Sequence, residues 1–311
     1  MNRQTKEMRL VYRDFLKETN LEQQDLAVLE ADLSSSMMTH TLAQDFGDRY
    51  INVGIMEAEM IGAAAGLSLR GYKPYIHTFG PFASRRVFDQ VFVSLAYAQL
   101  DATLIGSDAG VTAEVNGGTH MPFEDLSLMR AIPKAHVFEA SDDVSFQAIL
   151  ENTLQLPGLK YIRTTRKAPK PLYNDKQDFS KGYCQLREGD NMTIVASGIM
   201  VAEALEACQL LEKEGLSVGL IDLFQIKPLP DNLESLLAGK PVLTVENHNK
   251  IGGLGSAICE LLSQRTDTPV KRMGVDEAFG QVGKTDYLLE AYGLSVGHIV
   301  DAARAYIEKY K

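Results

Sequence analysis

Cysteine is scarce in this chain: its 311 residues hold three, Cys184, Cys208 and Cys259. They are scattered and form no Cys-x-x-Cys, so neither a disulfide framework nor a zinc site is expected, and a reducing, cytoplasmic setting fits. No apolar run reaches the roughly 20 residues that cross a bilayer. The first residues, Met1-Asn2-Arg3-Gln4-Thr5-Lys6-Glu7-Met8-Arg9, are charged and lack the apolar core of a secretory signal. Positive charge is also in deficit, since 31 Lys and Arg against 41 Asp and Glu leave a net charge of −10. That balance argues against binding nucleic acid or an anionic membrane non-specifically. It leaves room for a small phosphorylated ligand, which needs only a local basic site. Two nucleotide signatures are missing too. Ile251-Gly252-Gly253-Leu254-Gly255-Ser256 looks like a dinucleotide glycine loop, but Ile258 stands where its third glycine belongs. No Gly-x-x-x-x-Gly-Lys-Ser/Thr occurs. The glycine loop therefore reads as a tight turn before a helix.

What is present is an ordinary globular composition, 45% hydrophobic and 23% charged, with length for two domains. Short apolar runs rich in β-branched residues alternate with helical patterns. Strands are expected at 27–31, 50–53, 75–79, 102–106, 136–139 and 160–164, with helices at 5–18, 41–46, 85–100 and 145–155. Residues 166–190 break this rhythm with Arg166-Lys167-Ala168-Pro169-Lys170-Pro171 and Tyr173-Asn174-Asp175-Lys176. A second unit follows, with strands at 192–196, 217–223, 242–246 and 270–274 and helices at 201–214, 231–237, 256–264 and 295–310. The expected fold is α/β, two doubly wound domains spanning 1–165 and 191–311 and joined by a linker at 166–190.

The most informative stretch is Asn52-Val53-Gly54-Ile55-Met56-Glu57-Ala58-Glu59, continuing through an uncharged run to Arg70. A strand should turn here into a helix with almost no polar face, hence a buried one. Glu57 and Glu59 lie in its first turn. A helix N-terminus favours a carboxylate by roughly 0.3–1 kcal/mol. Dry burial of a carboxyl favours the protonated acid by roughly 4–7 kcal/mol. An acid at this place is thus either a solvated helix start or a neutral hydrogen-bond donor in a dry pocket, and one of the two glutamates should be the former.

Three further segments can carry chemistry. Thr78-Phe79-Gly80-Pro81-Phe82-Ala83-Ser84-Arg85-Arg86 puts two phenylalanines at a loop, fit either for core packing or for stacking on a flat heteroaromatic ring. Asn116-Gly117-Gly118-Thr119-His120 sets a histidine on a flexible loop, either a proton-transfer or hydroxyl-binding group or an ordinary polar residue. Arg9, Arg163 and Arg166 are the basic candidates. Arg163 ends an expected strand, where ligands collect in open α/β sheets; Arg166 reads equally well as a solvated surface charge. No serine or cysteine nucleophile with a suitable neighbour is evident.

These motifs, in this order, resemble the C-terminal half of transketolase-like enzymes, and the whole chain resembles the C-terminal subunit of split transketolases. Further marks are Glu30-Ala31-Asp32-Leu33, Phe88-Asp89-Gln90, Phe123-Glu124-Asp125, Asp222-Leu223-Phe224-Gln225-Ile226-Lys227-Pro228-Leu229-Pro230, Glu246-Asn247-His248 and Phe279-Gly280-Gln281. The resemblance implies a pyrimidine-binding domain, a transketolase C-terminal domain and thiamine diphosphate as cofactor. It implies ketol transfer through the cofactor's ylide, moving a two-carbon unit from a ketose, expected to be phosphorylated, to an aldehyde. It gives Glu57 the hydrogen bond to the cofactor's aminopyrimidine, Phe79 and Phe82 the aromatic wall, and Asp32 a place beside the cofactor. His120 and Asn116 become substrate-hydroxyl contacts, and Arg9, Ser36 and Arg163 phosphate ligands. Asn116 departs from the family's usual aspartate, and Ser107 stands where a second substrate histidine is expected. The family's metal and diphosphate motif, Gly-Asp-Gly, is absent: Gly47-Asp48 runs into Arg49 and Gly189-Asp190 into Asn191. The resemblance therefore implies a separate N-terminal subunit holding Mg2+ or Ca2+ and the diphosphate, in an α2β2 assembly inactive without it. A 2-oxo acid dehydrogenase β subunit and a noncatalytic module of the same fold are the alternatives.

Overall fold

The computed structural model describes residues 3–263 and 267–310. The strands are β1 (Leu26–Glu30), β2 (Tyr50–Asn52), β3 (Lys73–Phe79), β4 (Ala102–Ser107), β5 (His136–Glu139), β6 (Leu159–Arg163), β7 (Cys184–Arg187), β8 (Met192–Ala196), β9 (Val218–Asp222), β10 (Gln225–Lys227), β11 (Val242–Asn249) and β12 (Val270–Val275). They make two sheets, in orders β10-β5-β6-β4-β3-β1-β2 and β12-β11-β8-β9-β7. All pairs are parallel except β10–β5 and β7–β9. β1, β4 and β6 are buried along their full length, as central strands of a sheet covered on both faces should be. The two-domain α/β architecture is the one expected.

Helices cover the sheets for legible reasons. In Met8–Glu22 the residues Met8, Val11, Tyr12, Phe15, Leu16 and Thr19 are buried, a three-and-four spacing that lays one stripe on the core. Asp143–Thr153 starts two residues before its expected position because Asp142 caps it. Ser145 N–H donates to Asp142 Oδ1 at 2.9 Å, and the Asp142 N–H donates to Ser145 Oγ at 2.9 Å. The second carboxyl oxygen of Asp142 takes the N–H groups of Leu172 and Tyr173. The proline-rich segment is thereby pinned to the first domain.

Five expectations need correction. The helix placed at 85–100 is a short turn, Phe88–Gln90, running into a π-helix, Val91–Tyr97. The segment read as linker contains β7, an antiparallel edge strand of the second sheet. β10, from the second half of the chain, pairs with β5 and completes the first sheet. The helix Glu57–Leu69 is buried on one face only: Glu57, Met60, Ile61, Ala64 and Ala65 are covered, while Ala58, Glu59, Gly62, Gly66 and Leu69 are exposed. The helix expected to end at Gln264 runs Leu254–Leu262, and Gln264 lies outside the described residues.

The domains are joined through buried polar groups. Arg163 is fully buried at their junction. Its Nε donates to Asp125 Oδ2 at 2.8 Å, its Nη1 to Glu139 Oε1 at 2.5 Å, and its Nη2 to the carbonyls of Pro122 and Asn247 at 3.0 and 2.8 Å. Asn247 in turn takes the Val111 N–H and donates to the Ala109 carbonyl.

Candidate active site

The site gathers at the C-terminal ends of the first sheet's strands, where an open α/β sheet leaves backbone and loops free to bind. Asn52 organises its floor. Its Oδ1 accepts the N–H of Asp32 at 3.0 Å and of Gly54 at 3.1 Å. That pins the end of β1 to the turn that launches Glu57–Leu69. Gly54 sits at φ +77, a conformation costly for any side chain, and Asp32 takes a positive φ of 62. Asp32 itself is exposed.

Glu57 is the first residue of that helix and is 4% exposed. Burial is as expected, but the acid is not alone. Arg86 Nη1 donates to Glu57 Oε1 at 2.5 Å, and the Arg86 guanidinium lies 3.6 Å from the centroid of the Phe82 ring. Phe79 and Phe82 face each other at 6.0 Å. His120 stands edge-on to both, at 5.8 and 5.1 Å, its Nδ1 held 2.9 Å from Thr119 Oγ1. The structure thus brings Glu57, Phe79, Phe82 and His120 together.

The His120 loop is held by the second domain. A Cβ on Gly118 would lie 2.3 Å from the Gly280 carbonyl oxygen, so the two loops meet backbone to backbone. This explains the Gly118-Thr119-His120 and Phe279-Gly280-Gln281 motifs together. Arg85 adds a donor to the Thr119 carbonyl at 2.9 Å.

The arginines are redistributed. Arg163, expected to bind phosphate, cannot: every guanidinium nitrogen is committed to protein acceptors in the dry junction between domains. Arg166 is the arginine that lies beside Phe79. It lies 5.0 Å over the Phe79 ring and donates to Asp108 Oδ1 at 2.7 Å, with a side chain still one-quarter exposed. Burial pushes the Asp108 carboxyl up against the pull of Arg166. Arg9 pairs with Glu7 at 2.6 Å, and its backbone N–H donates to the Arg166 carbonyl, so the helix start carrying it abuts this corner. Ser36 lies half-buried in Ser34–Met37, close after Asp32 in the chain, and Asn116 is exposed on the loop leading to His120.

A serine with a partnered histidine, not foreseen from the sequence, also appears. Ser107 Oγ lies 2.9 Å from His77 Nε2, and Glu30 Oε2 lies 2.9 Å from His77 Nδ1. Register makes this arrangement: Glu30 faces His77 across β1–β3, and Ser107 faces Phe79 across β3–β4. All three are fully buried, so Ser107 is an internal partner and no open nucleophile.

The chain is thus an α/β protein that gathers a buried helix-start acid and two phenylalanines at the strand ends of its first sheet. Residues 4–171 match the model of the transketolase pyrimidine-binding domain and residues 182–299 that of the transketolase C-terminal domain. The chain belongs to the transketolase family. It is 42% identical over 305 residues to the 6-deoxy-6-sulfo-D-fructose transketolase subunit SqwH of Clostridium sp. (strain MSTE9), covering 97% of this chain and 95% of that protein. It is 35% identical to a putative transketolase C-terminal section of Methanocaldococcus jannaschii, over 93% of this chain and 92% of the other. Among solved structures, a split-gene transketolase described as an inactive β4 tetramer superposes with a TM-score of 0.88 at 36% identity, covering 97% of this chain and 98% of that one. The chain is a transketolase-type C-terminal subunit, as its motifs imply.

Proposed function

We propose that this chain carries the pyrimidine half of a thiamine diphosphate site and, with an N-terminal subunit, transfers a two-carbon ketol unit from an anionic ketose to an aldehyde. The observation that carries this reading is the buried Glu57 carboxyl beside the Phe82 ring, where the planar guanidinium of Arg86 now sits with an N–H donated to the carboxyl. A buried carboxyl and an aromatic face fit an aminopyrimidine. When bound, the cofactor supplies the carbanion chemistry that protein side chains lack. The chain's own part is to hold and orient: Glu57 exchanges a proton at a ring nitrogen, Phe79 and Phe82 wall the ring, and Asp32 flanks it.

The substrate lies on the side of His120 and Arg166. Thr119 ties Nδ1 of His120, which leaves Nε2 for a sugar hydroxyl, and Asn116 offers both a donor and an acceptor nearby in the chain. Arg166 offers its guanidinium fork to the anionic terminus, with Arg9 and Ser36 as further ligands. That terminus is a phosphate or, as the name of the Clostridium relative suggests, a sulfonate. Mg2+ or Ca2+ and the diphosphate fall to the partner, since the sequence has no Gly-Asp-Gly. The split-gene relative's inactive β4 tetramer supports the need for a second chain. Gly62 and Gly66, open on the exposed helix face, suit the subunit contact of an α2β2 assembly. The scattered thiols suit a cytoplasmic location.

The test is reconstitution with the N-terminal subunit, thiamine diphosphate and Mg2+. Ketol transfer should appear only in the mixture, and Glu57→Gln should abolish it while the assembly stays intact. Turnover by this chain alone, or near-normal turnover by Glu57→Gln, would overturn the reading. Competing fructose 6-phosphate against its 6-sulfo analogue identifies the terminus.

A further inference from the structure

We propose that Arg86 is a built-in stand-in for the cofactor's ring, holding the aminopyrimidine seat shut in the free chain. The inference rests on the cofactor reading above and adds a step to it. A guanidinium is a flat N–C–N cation whose N–H groups lie in its plane. The Arg86 guanidinium carbon lies 3.6 Å from the centroid of the Phe82 ring, and its Nη1 donates to Glu57 Oε1. A protonated aminopyrimidine presents the same pattern: a flat N–C–N unit, one aromatic face to stack on, one N–H for the carboxyl. The two cannot use the same carboxyl oxygen and ring face together.

The seat is held reversibly. The Arg86 side chain is 43% exposed while the Glu57 side chain is 5% exposed. The cation can therefore leave towards solvent, whereas the acid stays fixed in the helix start. The stack on Phe82 and the charge pair each favour the closed arrangement. A ligand that needs the open arrangement binds more weakly by the fraction of chains that are open. The free subunit is thereby kept from binding half a cofactor, and a buried carboxylate is not left unpaired before assembly.

Calorimetric titration of the free chain with thiamine tests this. Arg86→Met keeps apolar cover on Phe82 but removes the cation. It should bind thiamine at least tenfold more tightly than the wild type, and Phe82→Ala added to it should remove the gain. Equal, weaker or undetectable binding by Arg86→Met, or a gain indifferent to Phe82→Ala, overturns the proposal. A second measurement needs no variant: the Nε–H resonance of Arg86 in arginine-labelled wild-type chain should move on saturation with thiamine, and an unmoved signal overturns the proposal equally. The cofactor reading fails separately. If Glu57→Gln and Phe82→Ala leave thiamine diphosphate affinity of the assembled enzyme unchanged, that reading is wrong. If they weaken it while Arg86→Met gains nothing, only the stand-in is wrong.

Discussion

Asn52 accepts the backbone N–H of Asp32 across the mouth of the first sheet, at 3.0 Å, and with the same oxygen holds Gly54 at 3.1 Å. One side chain thus sets both Asp32, the acid proposed to flank the cofactor, and the turn that launches Glu57. Each such bond contributes roughly 0.5–1.5 kcal/mol. Asn52→Ala should cost about 1–2 kcal/mol in urea unfolding. In the reconstituted enzyme it should raise the KM for thiamine diphosphate more than it lowers kcat. An unchanged cofactor KM would show that the clamp does not position the site.

Arg163, a buried structural residue, and Arg166, the proposed anion ligand, can be told apart by substitution. Removing the guanidinium of Arg163 strands Asp125 and Glu139 in a dry junction, a loss that costs roughly 3–5 kcal/mol in such buried pairs. Arg163→Met should therefore lower the melting temperature sharply, with solubility falling. Arg166→Met also strips the buried Asp108 carboxyl of its partner, so it should cost some stability, but less than Arg163→Met, because one carboxyl rather than two is stranded and burial already favours its protonated form. Its KM for the anionic ketose should rise tenfold or more, with cofactor affinity unchanged. The reverse pattern would restore Arg163 as the anion ligand.

Much of this was legible from residue order. Ten of the twelve strands and the proximity of Phe79 to Phe82 follow from alternation and from the family motifs, whereas the residue pattern leaves Glu57 open between a solvated helix start and a dry pocket. The misplacements have physical sources. Arg163 ends a strand, a position that suits an anion ligand, but a strand end also faces the neighbouring domain, and only tertiary packing shows that Asp125 and Glu139 enclose it. β10 is three residues long and followed by proline, too short for any periodicity to show. Arg86 stands in a motif legible in the sequence, yet its reach onto Phe82 depends on the irregular turn at 84–87. The glycine loop was read as a tight turn, and the structure adds its reason. A Cβ on Gly253 would lie 2.0 Å from Glu246 Oε2, the oxygen that takes the Leu254 N–H at the helix start.

The domain junction makes stability depend on pH. Burial pushes Asp222 up to about 7 and Glu246 up to about 8. The folded state thus keeps protons that the unfolded state releases near pH 4. This contribution is complete in acid and is lost as pH rises through 7 and then 8. His248 works in the opposite sense: burial lowers it to about 4, so its contribution is present above pH 6.5 and is lost as pH falls towards 4. Melting temperature should therefore decline from about pH 4.5 to about 8, most steeply near 6.5–7 where His248 no longer opposes the acids, and level off above that. Asp222→Asn should flatten that decline, because the hydroxyls of Ser141 and Tyr173, now donating to Asp222 at 2.9 and 2.6 Å, can turn to accept from an amide. A slope identical to the wild type would remove Asp222 from the account.

Gly62 and Gly66 offer the clearest test of assembly. They lie four apart on the exposed side of Glu57–Leu69, and a Cβ on either would meet nothing within 4 Å. Within this chain the glycines therefore serve no packing purpose, and they weaken the helix by roughly 1 kcal/mol each relative to alanine. Ile55, Met56 and Leu69, all large and exposed, lie in or beside the same helix. A stripe of small residues flanked by exposed apolar ones lets another backbone approach closely. Gly62→Leu should leave the isolated chain folded, with a melting temperature equal to or above the wild type. In the same variant, size-exclusion chromatography with the N-terminal subunit should show no α2β2 species, and ketol transfer should fall with it. A Gly62→Leu chain that assembles and turns over normally would place the subunit contact on another face.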